Sequence, residues 1–316
     1  MSALREAQGA GARPGGPSTG SGIGVGSGNV VLERRARVLG ITSPRRLPAW
    51  ILAHLALLLV VLAFLGPMLW LIFGSFHADS ALTVELGGSW TLSNFLAVMT
   101  PETLWTPLLN SFLLSAGTAL LTVVCSALAA YPLSRYSMRF RRTFLYTIVF
   151  STGLPITAVM VPVYVLFATF TLTDSRVATI LFMSATSLPF AIWMMKNFMD
   201  GVPVSLEEAA WTDGAGWFSS LRGIVLPLMA PGLAVVSIFV FVQQWGDFFI
   251  PFVLLQSPEK QPASVSIYTF FSSYGAVAYG QLAAFSILYT VPIIALYGVL
   301  SKALGGGFSF AGGLKG

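Results

Sequence analysis

SLEEAAWTDGAGWFSSLRGIVLPLMAP, residues 205–231, is a polar stretch set between two long apolar runs. It carries three carboxylates, Glu207, Glu208 and Asp213, and then Arg222. Pro203 suits the start of a helix, and Ser205 followed three residues later by Glu208 fits a capping box, in which each side chain satisfies an orphan amide. Glu207 and Glu208 agree with the positive end of the helix dipole. Leu206, Ala209, Ala210 and Asp213 recur at i, i+3, i+4 and i+7 and so share one face. Gly214 supplies a left-handed end. The pattern predicts a helix of two to three turns over 205–216, then a second short helix over 217–225 that ends before Leu226-Pro227. Ala209 and Ala210 are small enough for a partner backbone to come close. A polar helix held between apolar runs must face water, and we read it as a docking element.

The flanking runs set the fold class. Of the 316 residues, 55% are hydrophobic and 9% charged, where a soluble domain carries about 25% charged residues. A membrane span needs about 20 mostly apolar residues, and six stretches qualify: 50–73, 109–132, 143–169, 177–195, 228–254 and 282–301. The expectation is an all-α integral membrane protein with six transmembrane helices and a cytoplasmic coupling helix. The single Cys125 lies in the second stretch and reports nothing about redox compartment.

Charge placement orients the chain. Threading six spans puts 15 of the 17 Lys and Arg residues on one face. They are the seven arginines of the N-terminal arm, Arg135, Arg139, Arg141 and Arg142 of the second connection, Lys196 and Arg222 beside the polar stretch, and Lys302 and Lys315 at the end. Only Arg176 and Lys260 fall on the other face. Cytoplasmic loops are enriched in Lys and Arg, so both termini and the segment 199–227 are expected in the cytoplasm. The formal charge of +5 is then a topology signal, and no nucleic-acid partner is implied.

Residues 1–31 are rich in Gly, Ser, Pro and Ala without apolar periodicity, a composition that cannot offset ordering entropy. We expect a disordered cytoplasmic tail over 1–45, a six-span membrane domain over 46–308 and a short cytoplasmic tail over 309–316. No GxxxxGK[ST] occurs, so no phosphate loop is present. The first apolar run is too long for a signal-peptide core. His54 reads as interfacial, Trp70 as an aromatic-belt residue, and His77 lacks companions for a metal site. Ser115, Gly117, Ala119, Ser126, Ala127, Ala129 and Ala130 suit close helix approach, within one bundle or against a second subunit. Pro155, Pro162 and Pro189 mark bends in the third and fourth spans.

The fifth span carries Gln243, Gln244, Trp245 and Asp247 among apolar neighbours. A helix starting near Leu228 puts Asp247 about 28 Å along, close to the outer boundary. Two readings stand. Trp245 and Asp247 are interfacial anchors, or they face a ligand: for a hydroxylated one such as a sugar, Gln243, Gln244 and Asp247 would offer acceptors to its hydroxyls while Trp245 packs on a pyranose face. The outer loop 256–281 is rich in Tyr and Phe, which anchor at the interface or dock a partner.

The polar stretch also matches a spaced motif. Glu-Ala-Ala, three residues, Gly, nine residues, Ile, one residue and Leu-Pro occur at Glu208, Ala209, Ala210, Gly214, Ile224, Leu226 and Pro227. This resembles the cytoplasmic signature of permease subunits of ABC importers. Asp213 and Ala215 resemble the carbohydrate-uptake subgroup, and the terminal AGGLKG resembles its maltose-type, second-position subunit. The resemblance covers residues 50–316. It implies a sister permease, two cytoplasmic ATPase subunits that carry the ATP and Mg, an extracytoplasmic solute-binding protein and a sugar substrate, with no cofactor or metal on this chain. It implies ATPase docking by Glu207, Glu208, Ala209, Ala210, Asp213, Gly214, Ala215, Ile224, Leu226 and Pro227, and a substrate path past Gln243, Gln244, Trp245 and Asp247. A permease of the same superfamily for another solute is the alternative. An intramembrane enzyme would need a nucleophile–base pair or activated carboxylates, and with two histidines in the chain no such set is assembled. A secondary carrier would show internal repeats and a charged ion site.

Overall fold

A computed structural model describes residues 47–78, 89–271 and 277–303. The expected tails over 1–45 and 309–316, with Lys315 and the arginines of the N-terminal arm, lie outside the described residues. The chain divides into two compact units, 1–66 and 67–316. Among the described residues the architecture is helical, with two isolated β-bridges, His77 to Trp90 and Phe271 to Val277.

Helix α1 (Leu47–Ser75) contains Pro67 and no charged residue. Its Leu52, Leu59 and Phe64 are exposed, as expected where lipid is the solvent and a helix is apolar all round. His54 donates from Nδ1 to the Trp50 carbonyl at 2.8 Å. His77, just beyond α1, is buried and donates to the Phe73 carbonyl at 2.8 Å. Helix α2 (Ser93–Val98) closes this end through Asn94, whose amide donates to the carbonyls of Ser75 and His77.

A π-helical turn over Pro101–Trp105 leads into α3 (Thr106–Arg135). Then come α4 (Arg141–Ser151), α5 (Ile156–Thr169), α6 (Arg176–Asp200) and α7 (Val204–Thr212). Helix α8 (Trp217–Ser220), a second π turn (Leu221–Val225) and α9 (Leu226–Leu228) follow without a gap. The chain ends in α10 (Ala230–Trp245), α11 (Phe249–Leu254), α12 (Ala263–Ser266) and α13 (Tyr279–Ala303). Both π turns stop two residues before a proline, Pro107 and Pro227. Proline has no amide to donate, so the return from π to α register falls where a donor is missing anyway.

Four helices among the described residues are long and apolar enough to cross a membrane, and up to six spans result if each bent pair is one. Two predicted spans are therefore not single helices. The stretch 143–169 breaks into α4 and α5 at an angle of 90°. Pro155 is extended (φ −64°, ψ 123°), and a residue before proline is pushed out of the α region. The stretch 228–254 divides at Gly246–Phe248, because the Asp247 carboxylate takes the amides of Phe249 and Ile250 at 3.0 and 3.4 Å and so starts α11. At the other end, helix 217–228 meets α10 at 78°. The second predicted helix does not stop at Leu226-Pro227: it runs on to Leu228 through the π turn.

The small residues of α3 serve packing inside the chain. Ser115, Ala119, Ser126, Ala127 and Ala130 are buried, and a Cβ on Gly117 would come 2.9 Å from Ile180 Cδ1 of α6. Met195 and Met199 of α6, Val236 and Val240 of α10, and Leu221 and Val225 of the π turn complete this core. A Cβ on Gly232 would sit 2.5 Å from the Phe198 ring, so glycine sets the α6–α10 approach.

At the opposite end the α5–α6 turn is clamped to the loop after α11. Asp174 adopts φ 60° and its carboxylate accepts from Lys260 Nζ at 2.7 Å, Ser257 Oγ at 2.6 Å, and the amides of Gln256 and Ser257 at 3.0 Å. Hydrogen bonds from Lys260 and Ser257 hold its carboxyl well below the usual carboxylate range. A depressed value means that the clamp's stabilisation is complete above the unfolded carboxyl pKa, about 3.9, and is lost as pH falls through the lower folded value. Thermal unfolding of the purified protein is expected to be insensitive to this group from pH 8 to 5 and to weaken below about pH 4. Asp174→Asn should lose that acid-dependent increment, worth about 1 kcal/mol or less for a partly exposed pair.

Candidate functional site

Helix α7 presents most of the predicted docking residues outward. Glu208, Ala209 and Asp213 are exposed, as is Gly214; Ala210, Ala215, Ile224 and Leu226 are half-buried and Pro227 is exposed. Val204, Leu206, Trp211, Trp217 and Phe218 add exposed apolar surface beside them. Gly214 has φ 85°, the left-handed geometry that L side chains resist, and its amide bonds to the Trp211 carbonyl at 3.0 Å. That turn ends α7 and aims the chain into α8. The expected capping box does not form. Pro203 is the N-cap and no side chain caps the helix. Starting at Val204 moves Ser205 inside the first turn, away from a capping position.

Glu207 is the exception among the predicted docking residues. It is fully buried, turned away from its neighbour Glu208 toward the end of α3. Its carboxylate accepts from Tyr131 Oη at 2.9 Å and pairs with the Arg135 guanidinium. Arg135 also donates to the Val202 carbonyl at 3.1 Å, so one guanidinium holds both the start of α7 and the turn before it. Beside this pin, Asp200 at the end of α6 pairs with Lys196 and Arg141 and accepts from Ser134 Oγ at 2.6 Å. Burial corrects the role read for Glu207: it anchors α7 to α3 from inside and offers no exposed surface to a docking partner.

The second constellation is a cavity of about 600 Å³ bordered by the α4–α5 break, α6 and α10. Gln243, Gln244 and Asp247 line it. Ser151 and Thr152 reach it from the break, and Ser187 and Phe190 from α6. Asp247 stands at the division of the fifth predicted span and lines the cavity. Trp245 does not line it. Its side chain is 2% exposed, stacked between Phe241 and Tyr289 at centroid distances of 5.6 and 5.5 Å, and Tyr289 donates its hydroxyl to the Trp245 carbonyl. A buried ring cannot pack on a solute, so the predicted pyranose platform is not Trp245. Phe190 and Phe239, tilted by 39° at 4.9 Å, put aromatic surface at the cavity instead. Phe190 lies on α6 and Phe239 on α10, so their meeting depends on helix packing, although the i, i+4 pair Phe241 and Trp245 already marked a separate apolar face.

Comparison with known proteins agrees with this arrangement. Residues 122–306 match the family described as binding-protein-dependent transport system inner membrane component. The maltodextrin transport system permease protein of Bacillus subtilis is 31% identical over 84% of this chain and 96% of its own length. The sulfoquinovosyl glycerol transport system permease protein of Agrobacterium fabrum is 30% identical over 80% and 89%. A chain from a bacterial ABC transporter involved in the import of the acidic polysaccharide alginate shares the fold, with a TM-score of 0.71 at 22% identity, covering 82% of this chain and 98% of that one. A match over more than half of the sequence, a relative of nearly full length and the helical architecture agree: the chain belongs to the inner membrane component family of binding-protein-dependent transport systems.

Proposed function

We propose that this protein is a permease subunit of an ATP-driven, binding-protein-dependent sugar importer. It crosses the membrane six times if each bent pair is one span, with 199–227 and both termini in the cytoplasm, and builds half of the translocation path beside a sister permease. The observation that carries the coupling role is helix α7, exposed along Glu208, Ala209 and Asp213 and ended by Gly214 at positive φ, at the spacing of the importer signature. Two ATPase subunits, which hold the ATP and Mg, would dock there. An extracytoplasmic binding protein would deliver solute from the other side.

Two connections would carry motion inward. Glu207 and Arg135 link α7 to α3, and the unbroken helix from Trp217 to Leu228 links it to α10 through the 78° bend. Displacing α7 would therefore move the two helices packed around α6 and change access to the cavity. Sugar as solute is supported by the cavity's polar and aromatic surfaces and by the relatives named for maltodextrin and sulfoquinovosyl glycerol transport. The test is reconstitution of the whole complex in proteoliposomes with labelled maltooligosaccharides. Uptake is expected only with ATP on the ATPase side and binding protein on the other. Uptake by this chain alone, without ATP, would establish a carrier and reject the importer.

A further inference from the structure

We infer that this chain's wall of the path selects neutral, hydroxyl-donating saccharides and excludes anionic ones, an inference that rests on the sugar-import reading. The argument is a count of hydrogens at the cavity. Each hydroxyl has one proton to give. Ser151 gives its proton to the Ile148 carbonyl at 2.6 Å, Thr152 to Val149 at 2.7 Å, and Thr186 and Ser187 to Met183 at 2.9 Å. All four oxygens therefore meet the cavity as acceptors.

Ser187 also decides the orientation of Gln244. Because the Ser187 proton is committed to Met183, its oxygen can only accept, and the Gln244 amide nitrogen donates to it at 2.8 Å. This turns the Gln244 carbonyl oxygen the other way, buried and without a partner. A buried acceptor left unpaired is costly, and a turn of the Gln244 side chain would bring it to a solute hydroxyl. Asp247 adds a carboxylate, one of whose oxygens is engaged by the Phe249 and Ile250 amides. Against these acceptors stand the side-chain amide of Gln243 and the second N–H of Gln244.

Among the described residues, no Lys, Arg or His lines the cavity. A carboxylate or sulfonate entering it would lose water and meet lone pairs, with no cation to pair with, and burying an unpaired charge is among the largest penalties in protein energetics. A neutral saccharide reverses the balance: its hydroxyls donate to the oxygens while its C–H face lies on Phe190 and Phe239.

The test measures binding directly, so that the solute-binding protein does not choose the ligand. The full complex of both permeases and the ATPases is dialysed in detergent against labelled maltotriose, cellotriose and diacetylchitobiose, and against trigalacturonate and trimannuronate. The best neutral probe is expected to be retained at least about tenfold over the better anionic one, a difference of about 1.4 kcal/mol. In Asp247→Asn, where the amide oxygen can still cap α11, the anionic-to-neutral ratio is expected to rise several-fold. A purely structural role for Asp247 would lower both together and leave the ratio unchanged, which would overturn the charge argument. Equal retention of an anionic probe by the unmodified complex would overturn the inference and leave sugar import standing. Retention of none of the probes would remove the sugar reading and this inference with it.

Discussion

Glu207→Ala is expected to produce a large loss of stability, although the residue lies on a surface helix of nine residues. The substitution removes the acceptor from two partners at once. The Arg135 side chain is 2% exposed, and deleting its carboxylate leaves a guanidinium inside the protein with the Val202 carbonyl as its remaining oxygen partner outside its own turn. Breaking a buried pair from one side costs about 3–5 kcal/mol, and Tyr131 loses its acceptor as well. Glu207→Gln keeps the shape and one acceptor oxygen and should lose less. The double replacement Glu207→Ala with Arg135→Met removes the stranded charge, so it should recover much of the difference, as coupled sites do. Thermal unfolding of the detergent-solubilised protein, with hydrogen exchange over 204–212, measures both effects. If Glu207→Ala melts with the unmodified protein and its α7 amides stay protected, the pin contributes nothing.

The contrast between Glu207 and Glu208 marks where the sequence stops being informative. Both sit near the start of α7, and helix periodicity alone leaves the rotation of the helix about its axis open. The partner that decides it, Arg135, lies 72 residues away. A hint was present: of the four arginines in the second connection, Arg135 lies nearest the apolar run. The spans were legible because apolar length is a strong signal. Their breaks were not, because proline has no single consequence in a membrane helix. Pro67, Pro132, Pro162, Pro189 and Pro292 all remain inside helices, while Pro155 stands at the start of α5, after the break. Gly153 and Pro155 both lie in the break between α4 and α5. The break at Asp247 depends on a carboxylate capping the next helix, a role that hydropathy does not register. The cavity was half legible. Its polar side followed from Gln243, Gln244 and Asp247, whereas the aromatic side and the burial of Trp245 required knowing which helices face each other.

Gly214→Val is the second substitution expected to have a large effect, and its cause is separable from packing. A Cβ at Gly214 meets nothing within 4 Å, so no clash arises. The penalty is conformational: φ 85° costs an ordinary residue about 1–2 kcal/mol, and a β-branched side chain is the least suited to it. Either the turn opens or α7 loses its last bonds, and in both cases the surface of Glu208, Ala209 and Asp213 is re-aimed relative to α8. Gly214→Asn is the matched control, because asparagine tolerates the left-handed region. The loss of docking is expected to be about five- to thirty-fold for the valine variant and small for the asparagine variant. The deciding measurement is recovery of the ATPase subunits with the tagged permease, alongside ATP-dependent uptake, for the three proteins at equal membrane levels. The account predicts that both fall together in Gly214→Val and are retained in Gly214→Asn. Full ATPase recovery and full uptake in Gly214→Val would contradict the claim that α7 is the docking element.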